Sequence, residues 1–390
     1  MVSIESLSLP EKIGQMLCLG FTDDKPGDAF LNVNEQARRV VTELHAGTVI
    51  LFARNVQRPG ETTDSARVKA MVDELQSLAR VPLFVAVDQE GGRVARFGAP
   101  FTAFPSAQAI GSISDPELVV EAARIIGTEL LAVGVNFNFA PVADINSNPA
   151  NPVIGDRSFG GDPVLVSSMV MAQSQGYHDA GILACAKHFP GHGDTDLDSH
   201  FALPTIRYDR DVIENRELMP FAAAVRNEIP AIMTAHILFP ALDPSGVPAT
   251  LSKPILTDLL RGELGFDGLI VTDCLQMKAV ADTWGTPRAA VMAAQAGADI
   301  LLVCHDAETQ RTTFDALLAA VHSGELSEAR IDESVARILA AKEGLAMGDI
   351  PALFTIGSPE HLAFARSVYE AAGQTPPPSV SVPTLGERTY

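Results

Sequence analysis

Eight short apolar runs, separated by stretches of helical period, constrain the fold more than any other feature of this chain. They lie at 16–21, 48–52, 83–87, 136–140, 183–186, 231–235, 269–272 and 300–304. Between them, stretches such as 63–78, 116–131, 162–180, 288–296 and 315–322 place apolar residues at helical spacing. Runs this short and this apolar read as strands buried on both faces, and their alternation with helices predicts an α/β protein built as a (β/α)8 TIM-like barrel. A doubly wound sheet is the alternative, but neither GxGxxG nor GxxxxGK[ST] follows any run. A helical stretch at 331–343 ends the pattern. Ser358 and Pro359 then open one more helix as N-cap and first-turn residue. The Pro-rich stretch from Thr375 is expected to be loosely ordered. The expected division is a catalytic barrel over 1–346 and a C-terminal helix with tail over 347–390, without a second αβα domain.

A barrel of this kind gathers its chemistry at the carboxyl ends of its strands. Polar residues stand at five of those ends: Asp88, Asn138 with Asp144, Lys187-His188, His236 and Asp273. Any one of them reads equally well as a turn or helix cap. Five together read as a shared pocket. Asp273 is the sharpest case, because Gly268 to Thr272 is a buried strand that ends in a charge needing partners or a use.

The densest polar stretch is Lys187 to His200, with three His, three Asp and one Lys in a Pro/Gly loop. Asp194, Asp196 and Asp198 alternate like the start of a calcium loop, yet Ser199 and Thr205 occupy the positions that need Gly and Glu. No HExxH or finger spacing supports zinc. Asp198 and His200 are two apart, so in extended chain both side chains point one way. That spacing suits a carboxylate holding one imidazole nitrogen while the other moves a proton.

Composition narrows the partners. The formal charge of −20 opposes nucleic acid and anionic membranes. No run is long and apolar enough to span a bilayer, and the first residues lack a secretory pattern. Cys18, Cys185, Cys274 and Cys304 are dispersed among apolar runs without CxxC spacing, as small buried residues rather than disulfides or zinc ligands. A cytoplasmic monomer is expected.

Val87-Asp-Gln-Glu-Gly-Gly-Arg-Val-Ala-Arg-Phe97, Asn151 to Gly160, Lys187 to His200 and Val271-Thr-Asp273 resemble glycoside hydrolase family 3, and within it the β-N-acetylglucosaminidase branch. The resemblance covers about residues 10 to 345. It implies that Asp273 is the nucleophile, that His200 with Asp198 is the acid/base pair, and that Asp88, Arg96, Arg157, Lys187 and His188 bind sugar. The β-glucosidase branch normally takes its acid/base glutamate from a second domain, so Asp-Ser-His favours the N-acetylhexosaminidase branch. The implied activity is retaining, exo-acting cleavage of terminal β-linked GlcNAc from peptidoglycan, muropeptide or chitooligosaccharide fragments, with no metal or cofactor. The rivals are a β-glucosidase or broad β-hexosidase, a GlcNAc phosphorylase, a non-catalytic sugar-binding barrel, and a metal-dependent hydrolase using the Asp/His loop.

Overall fold

The computed structural model describes residues 2–22, 32–57, 61–195, 203–345 and 349–380. Each apolar run becomes a strand: β1 Leu17–Leu19, β2 Thr48–Leu51, β3 Phe84–Val87, β4 Phe137–Asn138, β5 Leu183–Phe189, β6 Ala231–Thr234, β7 Leu269–Val271 and β8 Leu301–Val303. All neighbours pair in parallel, in the order β7-β6-β5-β4-β3-β2-β1-β8. The seam between β7 and β8 closes through a bridge of Val271 with Ile300 and bonds from Thr272 N to Ile300 O and Leu275 N to Leu302 O, both 2.9 Å. The expected barrel is what forms.

Nearly every strand residue is buried, which is why the runs read as continuous rather than alternating. Helices cover the outside, and several start where an aspartate or serine accepts a backbone N–H. Asp115, Asp162, Asp306 and Ser358 do so, each with Pro or an acid in the turn that follows. Ser358 caps the helix Pro359–Ala371. That helix packs back on the barrel through His361 Nδ1, 2.8 Å from the buried Glu129 carboxylate.

Two strands depart from the sequence expectation, and both departures shape the site. β4 is two residues long, and Pro141, which has no N–H to give a ladder, stands three residues after its end. The chain beyond it still follows β5, with Ala143 N bonded to Lys187 O at 2.7 Å. β5 runs on to Phe189, so Lys187 and His188 lie inside the strand rather than after it. Its register against β6 shifts between Lys187 and Phe189. In a regular strand adjacent side chains face opposite ways, whereas an extra residue lets both reach one cavity.

Charge is organised differently at the two barrel ends. At the amino end, fully buried Asp299 accepts from Ser334 Oγ at 2.7 Å and Ile270 N at 2.9 Å, and pairs with Arg261, Arg330 and Arg337. This closed cluster ties β8 to the helices Pro254–Glu263 and Glu328–Leu345. The carboxyl end holds the open pocket.

Candidate active site

The stretch after β3 is folded by one side chain. Gln89 N and O bond the side chain of Asn138 on β4 at 3.0 and 2.9 Å, and Gln89 Oε1 accepts from Arg96 N at 2.7 Å and Phe97 N at 3.1 Å. Gly91 and Gly92 turn between them at φ of 97° and 56°, the left-handed region that glycine enters without strain. This turn brings Asp88, Glu90 and Arg96 to one wall.

There they join an alternating chain of charge. Lys187 Nζ is 2.8 Å from Asp88 Oδ1 and 2.6 Å from Glu90 Oε1. Arg157 grips Glu90 through Nε and Nη2, both at 2.8 Å, in the fork geometry of a guanidinium on a carboxylate. Arg96 Nη2 stands 3.5 Å from Asp88 Oδ2. Burial by itself would raise the Glu90 carboxyl, but Lys187 and Arg157 overcome it and hold the group well below the usual carboxylate range. Burial would likewise lower Lys187, and Asp88 with Glu90 reverse that. The wall sets Lys187, Arg157 and Arg96 against the carboxyl groups of Asp88 and Glu90. Asp273 lines the same cavity as a third carboxyl group.

His188 is held from behind. Its Nδ1 lies 2.7 Å from Oδ2 of fully buried Asp144, and Asp144 Oδ1 accepts the backbone N–H groups of His188 and His192 at 3.1 and 2.7 Å. One carboxylate thereby fixes both the ring and the first turn of the loop, leaving Nε2 of His188 for the pocket. His192 is also buried, and burial together with neighbouring His188 pushes it down to about 4, so it is neutral at pH 7.

Asp273 follows β7 and accepts Cys274 N at 2.7 Å. The next peptide is held by His236, whose Nε2 donates to Cys274 O at 3.0 Å. Burial pushes His236 down even though Asp273 pulls the other way, so it serves here as a neutral donor.

These groups surround one cavity of about 350 Å³, lined among others by Asp88, Arg96, Arg157, Lys187, His188 and Asp273. All six candidate residues that fall among the described residues line it. Asp198 and His200 lie outside the described residues. Arg157 is spent on Glu90 and Lys187 bridges Asp88 and Glu90, so the cations balance Glu90 as well as Asp88. Glu90 was given no role from the sequence, Asp144 was named only among the polar strand ends, and His192 only within the Lys187–His200 loop. Glu90 had a signal, since it stands two residues after Asp88 and shares its side of an extended chain. Asp144 had only its place near a strand end, and His192 only its place in the His/Asp-rich loop. A larger hollow of about 490 Å³ beside the helix Glu35–Thr42 holds none of the candidates. Among the described residues no group of three or more His, Cys, Asp or Glu is arranged to hold a metal ion.

Comparison with known proteins bears on the chain and its fold. Residues 8–341 match the glycosyl hydrolase family 3 N-terminal domain. The chain is 38% identical to a protein named beta-hexosaminidase A from Pseudoalteromonas piscicida, over 91% of this chain and 65% of that one. It thus spans slightly under two thirds of that relative's length. It is 38% identical to a beta-hexosaminidase from Alkalilimnicola ehrlichii, over 71% of this chain and 78% of the other. Its fold superposes with a TM-score of 0.87 on a family 3 β-N-acetylglucosaminidase from Paenibacillus sp. FPU-7. The two are 44% identical, over 94% of this chain and 69% of that structure. A match that runs across all eight strands, with the strand-end residues meeting in one pocket, makes this chain a member of glycosyl hydrolase family 3.

Proposed function

We propose that the protein is a retaining exo-β-N-acetylglucosaminidase. The observation that carries the reading is that Asp273 shares one cavity with Asp88, Lys187, His188 and Arg157. A carboxylate at one side of a pocket walled by fixed hydrogen-bonding groups is what attack on a bound sugar's anomeric carbon requires. The relatives named as β-hexosaminidases support the choice of sugar.

In this reading Asp273 forms the glycosyl-enzyme and its Cys274 N–H bond keeps the attacking carboxylate in place. His200, oriented by Asp198, protonates the departing oxygen and then takes a proton from the incoming water. That pair rests on the sequence, because both residues lie outside the described ones. Asp88 and Lys187 bind sugar hydroxyls, as do His188, Arg96 and Arg157, while Asp144 and Glu90 hold them in place. The substrates are GlcNAc-containing fragments of peptidoglycan or chitooligosaccharides, and the enzyme acts as a monomer without metal or cofactor. A cytoplasmic setting belongs to the same reading and is supported by four unpaired cysteines.

Release of nitrophenol from the β-N-acetylglucosaminide tests it. Asp273→Ala should lose nearly all turnover. His200→Ala should lose about 10²–10⁴-fold on a natural glycoside and much less on the activated aryl substrate. Full activity of Asp273→Ala defeats the mechanism. Faster turnover on the β-glucoside, or a dependence on phosphate, transfers the enzyme to a rival specificity.

A further inference from the structure

The described residues that line the cavity include none from the helix Pro359–Ala371. What that end of the chain reaches instead is Glu129, buried on the helix Pro116–Ala132. Glu129 Oε1 accepts from His361 Nδ1 at 2.8 Å, Gly357 N at 2.9 Å and Thr102 Oγ1 at 2.6 Å, and Oε2 accepts Thr102 N at 2.7 Å. A carboxylate offers about four acceptor sites, and four donors fill them here, so the group has no freedom to turn. It joins the C-terminal segment to the stretch 97–106.

That stretch leads straight to the charged wall. Thr102 stands two residues before Phe104, whose carbonyl accepts Gly92 N at 3.1 Å. Gly92 belongs to the turn that brings Glu90 and Arg96 to the cavity. Phe104 is also met from the other side, its ring centre 6.3 Å from that of Phe364 on the C-terminal helix. Gly357 lets the chain cross this closely: a Cβ there would collide with the Pro100 carbonyl, and its φ of 61° lies in the left-handed region. The stretch 97–106 is thus held between the site turn and the C-terminal helix.

We propose that Glu129 and His361 are positioning residues for the sugar-binding wall, which makes the C-terminal helix part of the binding machinery rather than an appendage of the barrel. The inference rests on the proposed role of Asp88 and Arg96 in holding sugar hydroxyls. Neither Glu129 nor His361 lines the cavity; they act through Thr102, Phe104 and the Gly91-Gly92 turn. Removing the His361 donor leaves a buried acceptor short of a partner. The carboxylate then re-pairs, and Thr102, bonded to both of its oxygens, moves with it. Because the wall binds parts of the sugar that do not react, loosening it weakens substrate and transition state alike, and KM rises while kcat stays.

The test compares full-chain His361→Ala and His361→Asn with wild type on the aryl β-N-acetylglucosaminide, well below the melting temperature of each. An asparagine amide can replace His361 Nδ1 as donor to Glu129. His361→Ala should raise KM by up to about 10²-fold with kcat changed less than about twofold, and His361→Asn should recover most of the difference. Amide hydrogen exchange, read by mass spectrometry, should quicken across 91–106 in the alanine variant and not in the asparagine one. Should His361→Ala fold poorly by circular dichroism, Thr102→Val takes its place with the same expectation, since it keeps the shape and removes only the hydroxyl bond. A wild-type KM in the folded variant overturns the proposal, as does a loss confined to kcat. The exchange arm needs no turnover. Quickened exchange in a protein that cleaves no β-N-acetylglucosaminide defeats the proposed activity, whereas an active protein with KM and loop exchange unchanged defeats the positioning role.

Discussion

Lys187 has only 2% of its side chain exposed, yet it carries a full charge between two carboxylates. Removing one partner from such a set leaves the others buried and uncompensated, which typically costs about 3–5 kcal/mol. Lys187→Met should therefore lower the unfolding free energy by about that much, besides impairing sugar binding. Arg93 is the control. It makes a 2.7 Å bond to Asp156 but is half exposed, and Arg93→Ala should change stability by no more than about 1 kcal/mol. Urea unfolding of both variants decides the matter; equal small losses would mean that water already screens the Lys187 cluster. The position of Lys187 was readable as a polar strand end. Its pairing with Glu90 was not, because that depends on how two distant segments meet.

Among the helices, a small residue decides how closely neighbours approach. Gly176 lies on the helix Pro163–Asp179 where it packs on the helix Pro116–Ala132. A Cβ there would sit 2.6 Å from the Ala123 Cβ and would also press on the Val120 carbonyl, which is backbone and cannot swing away. Helix propensity alone would make Gly176→Ala stabilising by about 1 kcal/mol. Overpacking a rigid contact costs about 1–3 kcal/mol, so the substitution should destabilise on balance. Gly344 is the counter-case: it lies in the helix Glu328–Leu345 with open space around its missing Cβ. Gly344→Ala should raise stability by about 0.5–1 kcal/mol. Thermal unfolding should move the two melting temperatures in opposite directions, and a rise for both would show that the helix pair relaxes more easily than its packing implies.

At the scale of the whole molecule, two buried groups near the loop give opposing pH responses. His192 is held down at about 4, against 6.5 ordinarily, by burial and by His188. Between those values the unfolded chain binds a proton that the folded one does not, so stability falls as pH drops through that window. Glu217 is pushed up to about 7, against 4.5, by burial, with Arg216 opposing and Asp144 and Asp194 adding to the rise. Between about 4.5 and 7 the folded chain holds the extra proton, so this contribution grows as pH drops. Each is worth on the order of 3 kcal/mol, and where the windows overlap they largely cancel. Glu217→Gln should therefore uncover a loss of stability on acidification, and His192→Gln a gain. Urea midpoints across that pH range check both signs, and parallel curves for the two variants would refute the opposition.

The sequence by itself determined the eight strands, the alternating helices, the strand-end groups Asp88 and Asp273, and Lys187 and His188 as pocket candidates, though it put these two after β5 rather than within it. These follow from local rules: period, burial and turn chemistry are written in neighbouring residues. It also carried the family resemblance, because four separated stretches matched in order. Only the tertiary structure decided that Glu90 sits between Lys187 and Arg157, and that Asp144 holds His188 and His192. Glu90 and Arg157 are 67 residues apart, and Asp144 and His188 are 44 apart. Such pairs depend on the register of every strand between them and on the curvature that closes the sheet. A shift like the one in β5 re-aims adjacent side chains with no local mark in the residue pattern.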